Sequence, residues 1–156
     1  MAASTGDLLT PTLTDHRPRD PAGPRPWRLT SLVYPSIIGG PATAAVVAVV
    51  NARRLRVPGR TLVVLAAAGV LATAIATALA VLVEHEEARI LIAVCGVAVY
   101  GLAHRLERSA DRIHATFSPH TDPAADYAPF LAPALASILL GWAVLTVLVF
   151  AFGGPA

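Results

Sequence analysis

The chain has 156 residues, of which 55% are hydrophobic and 14% charged, with a formal net charge of +2 and a mean hydropathy of +0.63. A water-soluble domain carries about 25% charged residues, so this composition excludes an ordinary soluble globule and makes a lipid bilayer the partner of its outer surface. Its basic residues are all Arg, scattered between apolar runs without interleaved aromatics, which excludes a nucleic-acid groove.

Residues 1–30 form the first region. Prolines at positions 11, 18, 21, 24 and 26 and charges of both signs leave too little apolar surface to offset the entropy of ordering, so the reading is a disordered Pro/Arg-rich tail. Trp27 and Arg28 end it as an indole and a guanidinium at headgroup level.

The first apolar run, residues 31–50, has the length of one bilayer crossing, but Pro35 and the triplet Gly39-Gly40-Pro41 interrupt it. Pro41 leaves the Ile37 carbonyl without its helical donor, and in lipid that oxygen needs another partner. The segment Ala42-Thr43-Ala44 resembles a signal-peptide cleavage triplet, although the long preceding tail and two interior prolines argue against one. Asn51, Arg53, Arg54 and Arg56 close the run, and Pro58-Gly59-Arg60 makes a turn.

A second run over residues 61–83 is uncharged and long enough to span with tilt. Ala68, Ala72, Ala76 and Ala80 recur every four residues, beside Gly69, Thr73 and Thr77, a pattern that lets helices approach closely. Next comes the acidic stretch Glu84-His85-Glu86-Glu87. The third run is short; with Arg89 and His104 snorkelling it gives a span over residues 88–104, and residues 105–113 continue as helix into water. After a proline-bearing loop at 116–129, residues 130–152 form the last span, followed by a short tail at 153–156. The fold class is therefore an all-α, polytopic membrane helix bundle of about four transmembrane helices. Cys95 is a lone thiol within the third run.

Arginine placement orients the bundle. The tail holds Arg17, Arg19, Arg25 and Arg28; the first loop Arg53, Arg54, Arg56 and Arg60; the second Arg89; the third Arg105, Arg108 and Arg112. Four full crossings divide these residues seven against five. A re-entrant first run divides them eleven against one, but irregular backbone must be buried in protein, and a chain of this size offers little. The expectation is four crossings, with the re-entrant path as the alternative.

Gly39-Gly40-Pro41, followed about ten residues later by Asn51-Ala52-Arg53-Arg54-Leu55 and three further apolar runs, resembles an uncharacterised family of small bacterial four-span membrane proteins. The resemblance implies a four-helix fold and location in the bacterial plasma membrane, and no activity. The long arginine-bearing tail departs from the short N-termini of that family.

Three constellations are candidates for chemistry. Glu84, His85, Glu86 and Glu87 offer oxygen and imidazole ligands, but adjacent positions on a helix end diverge, which favours a solvated acidic loop. His104, Glu107, Asp111 and His114 share one helical face and resemble the Glu-x-x-His geometry of metal sites in bundles. Arg105, Arg108 and Arg112 beside them favour a solvated, ion-paired helix. The break at Pro35, Gly39, Gly40 and Pro41 could expose backbone to a substrate, as in transporters, or simply shape the helix for packing. No ionisable side chain lies within the four apolar runs, which counts against coupled transport. No nucleotide, nucleophile or cofactor motif is present, so no cofactor and no enzymatic activity are expected.

The sequence points to a structural or accessory subunit that packs, through its small-residue faces, against a second copy or a larger membrane-protein partner. A small-solute transporter or channel formed by a homo-oligomer is the alternative, and a metal-dependent membrane enzyme the third reading.

Overall fold

The computed structural model describes residues 24–83, 85–116 and 127–153. Residues 1–23, Glu84, most of the third loop and residues 154–156 lie outside them, and so does most of the expected tail. The described residues form an all-helical fold. A 3-10 turn at Leu29–Leu32 leads into α1 (Val33–Arg54), followed by α2 (Gly59–Leu82), α3 (His85–Thr116) and α4 (Leu131–Gly153). Among the described residues four helices are long and apolar enough to cross a membrane, over Leu29–Arg54, Gly59–Leu82, Glu86–Thr116 and Leu131–Phe152.

The first of these returns to the end it started from. Gly40 has φ 71° and ψ −165° inside α1, a conformation open almost solely to glycine, and the helix axis breaks there. The backbone amide of Trp27 donates to Oδ1 of Asn51 over 2.7 Å. In a straight helix those two residues would lie about 36 Å apart, at 1.5 Å for each of the 24 positions between them. Leu29 and Leu32 pack with Val47, which repeats the same message one turn deeper. So α1 is a helical hairpin with arms at residues 29–39 and 41–54, its two ends side by side, the backbone course that the re-entrant alternative requires.

The obstacle of too little protein is removed by the arrangement. The hairpin is the centre of the bundle and packs against α2, α3 and α4. Small residues make this possible. A Cβ on Gly96 of α3 would collide with the Ser36 carbonyl, one on Gly141 of α4 with Thr43, and one on Gly69 of α2 with Ala45. Gly96 and Gly141 both meet the hairpin tip, and Gly141 lies midway along α4, so the tip lies near the middle of the bundle. Lower down, Ala48, Ala52, Leu65 and Ala103 form a second apolar cluster.

One expected boundary moves. Pro26, Trp27 and Leu29, read as part of the tail, are buried, and Trp27 is 4% exposed rather than lying in the headgroups. A slot between the hairpin ends and Phe130 receives the ring, with centroids 5.0 Å apart. The third helix continues past residue 104, as expected, and runs unbroken to Thr116, about 48 Å over its 32 residues; its second half is not bare, since Glu107 meets Asn51 and Asp111 meets Tyr127.

Candidate functional site

Two places in this fold gather polar atoms: the hairpin tip and the open end of the hairpin. At the tip, the chain reversal frees main-chain carbonyls that lipid cannot satisfy. The Ile38 carbonyl accepts from Nε1 of Trp142 on α4 at 2.9 Å. Thr43 Oγ1 lies 2.9 Å from the Gly39 carbonyl and 2.8 Å from that of Ser137, so one hydroxyl proton ties the tip to α4. Ser36 Oγ donates to the Leu32 carbonyl at 2.6 Å, and Ser137 Oγ to that of Ala134 at 2.8 Å. The break expected from Gly39, Gly40 and Pro41 is thus a tight turn whose backbone is occupied by neighbours.

At the open end, Asn51 is the hub. Its Oδ1 accepts the Trp27 amide, and its Nδ2 donates to Oε2 of Glu107 at 2.8 Å. Glu107 is 0% exposed, alone among the described residues in being a fully buried ionisable side chain. Its Oε1, the Nε1 of Trp27 and the Nδ1 of His104 are buried atoms without a hydrogen-bond partner among the described residues. Arg54 stacks over the Trp27 ring, its guanidinium carbon 4.0 Å from the centroid, and donates to the Arg25 carbonyl. The Ala128 amide donates to the Pro26 carbonyl at 2.9 Å, so chain segments before α1 and after the third loop close this end together.

The face of α3 carrying His104, Glu107, Asp111 and His114 is therefore a packing face, which corrects the expectation of a solvated helix. The His104 ring lies 5.8 Å from that of Tyr100, Asp111 accepts from the Tyr127 hydroxyl at 3.1 Å, and the His114 ring meets Tyr127 edge-on at 5.6 Å. The four side chains meet three separate neighbours, Tyr100, Asn51 and Tyr127, and among the described residues no group of three or more His, Cys, Asp or Glu is placed to hold a metal ion. Arg105, Arg108 and Arg112 face outward. In the acidic stretch, Glu86 and Glu87 are exposed at the start of α3, with Glu86 3.8 Å from Arg89. They complement the helix dipole there; Glu84 lies outside the described residues. Cys95 is half-buried and free.

The alanine stripe of α2 is used within the chain. Ala76 is fully buried, Ala68, Ala72 and Ala80 are half-buried, and Gly69 receives Ala45 of the hairpin. Sequence reasoning missed Asn51 and Trp27 as site residues. The available signal was a neutral amide ending an apolar run one turn before a cluster of arginines.

On the lipid side, an apolar groove of about 920 Å³ runs between the second arm of the hairpin, α2 and the outer half of α4. It exists because the hairpin ends in mid-bundle, so α2 and α4 stand apart beyond the tip. Thr73 and Thr77 line it, but their hydroxyls donate to the carbonyls of Gly69 and Thr73 in their own helix, which leaves a hydrocarbon wall. Compared with known protein families, curated proteins and solved structures, the chain gives no significant match.

Proposed function

We propose that this chain is a structural or accessory subunit of a membrane complex, a multi-pass protein of the bacterial plasma membrane that presents apolar helix faces to a larger partner. One observation carries the reading: the hydroxyls of Ser36, Thr43, Thr73, Thr77 and Ser137 each donate to a main-chain carbonyl. Interior hydroxyls that could line a solute path are thus taken up by main-chain carbonyls, mostly of their own helix, and that of Thr43 ties the hairpin to α4. What the bundle turns outward is hydrocarbon, above all on α4, where Leu131, Leu135, Leu139, Val147 and Phe150 are exposed.

The test is purification of the tagged protein from its own membranes in mild detergent, with mass spectrometry of what accompanies it. A stoichiometric membrane-protein partner is expected, released by the pair Leu135→Ala and Leu139→Ala without change in the chain's own thermal stability. Recovery of the chain alone, or retention of the partner by the double variant, overturns the reading.

A homo-oligomeric transporter or channel is the second reading. It is favoured by the broken helix at mid-bundle, a geometry some transporters use to offer backbone groups to substrates. Solute flux into liposomes containing only this protein would establish it. A metal-dependent enzyme, the third reading, would show stoichiometric metal on elemental analysis.

A further inference from the structure

The groove between the hairpin and α2 ends at a group of arginines, and the two features share one axis. On the second arm of the hairpin, Ala42, Val46 and Val49 line the groove, and Arg53 follows at the next helical repeat on the same stripe. Arg56 and Arg60 stand in and just after the turn at that end. All three arginines are exposed, and among the described residues their side chains have no ion pair or hydrogen bond. Their neighbour Arg54 differs, being held against Trp27 and the Arg25 carbonyl. At the opposite end of the bundle Glu86 and Glu87 are exposed together with Arg89, which lies 3.8 Å from Glu86, so unpaired cationic charge among the described residues gathers at one mouth of the groove.

Charge identifies the occupant. The apolar wall runs along α2 from Ala66 to Leu82, about 24 Å of helix, and Arg53, Arg56 and Arg60 stand beyond its end nearest the first loop. A phospholipid lays an acyl chain along such a wall and places its phosphate at the surface, where guanidinium groups pair with it through charge-assisted hydrogen bonds.

We propose that this groove seats one acyl chain of an anionic phospholipid whose phosphate rests on Arg53, Arg56 and Arg60. The site is independent of the accessory-subunit reading, because it requires no protein partner. A bound lipid covers the part of this apolar wall nearest the arginines, along the second arm of the hairpin and the facing stripe of α2.

The full chain, purified alone and placed in nanodiscs of equal phosphatidylglycerol and phosphatidylcholine, provides the test. After release into mild detergent, native mass spectrometry counts the retained lipid. One phosphatidylglycerol per chain is expected, and each of Arg53→Gln, Arg56→Gln and Arg60→Gln should lower its preference over phosphatidylcholine by about fivefold. Ala74→Phe fills the groove from an exposed position and should abolish retention while the arginines are intact; Val70→Phe serves the same purpose if that variant does not fold. Equal retention of the two lipids overturns the headgroup site. Retention undiminished by both groove-filling variants overturns the groove, and so does disulfide cross-linking of two copies through Ala74→Cys. Loss of a protein partner from native membranes would bear on the accessory reading alone.

Discussion

The hairpin α1 and the helix α4 invert the usual relation between hydrophobicity and burial. The membrane-length window of α1 is the less apolar and is 50% buried, while the more apolar window of α4 is 11% buried. In water the order would run the other way. In lipid, apolar side chains gain nothing by leaving hydrocarbon for protein, and interiors are chosen by close packing of small residues and by hydrogen bonding. Ser36, Gly39, Gly40, Thr43 and Asn51 are therefore inside, and Leu139, Phe150 and Phe152 are outside.

That contrast can be broken or sharpened experimentally. The largest effect is all-or-none. With α1 doubling back and the other three helices crossing, reporters on the N- and C-termini should lie on opposite faces of the membrane, with the N-terminus on the arginine-rich side. Termini on one face would mean that the arms of α1 part and the helix crosses. Next is Gly40→Val. A branched side chain at φ 71° and ψ −165°, close to Ile92, should cost about 3 kcal/mol or more, read as loss of a cooperative thermal transition in detergent. Glu107→Ala removes the acceptor of the Asn51 amide from a sealed site and should lower stability by about 2 kcal/mol. Glu107→Gln keeps an acceptor oxygen in place and should cost less than half of that in the same melt. The smallest effect belongs to α4: Leu139→Ala, at a side chain 71% exposed, should change stability by under about 0.5 kcal/mol. A larger loss would mean that the outer face of α4 is packed within the chain itself.

Much of this architecture was legible from single residues. The four apolar runs, the break at Gly39-Gly40-Pro41 and the common face of His104, Glu107, Asp111 and His114 all follow from composition and period. What a break does to the path of a chain is not local, because a kink and a reversal use the same residues. The deciding contact joins Trp27 to Asn51, and the next joins Asn51 to Glu107, 56 positions away. The arginine count favours a returning first run, eleven against one, and the Gly39-Gly40-Pro41 break permits one, but neither outweighed the four crossings expected from run lengths. Glu107 stayed hidden because its neighbours Arg105 and Arg108 mark a wet helix, and only the face toward Asn51 is dry.

The hairpin also sets an order of events. Its arms emerge during synthesis before any of the three helices that cover them, and neither arm can cross a bilayer by itself. The Ile38 carbonyl at its tip finds its donor on α4, at Trp142, and α4 follows the other three helices in the chain. Until α4 is in place that carbonyl lacks its donor, so the centre of this bundle is completed after the helices beside it.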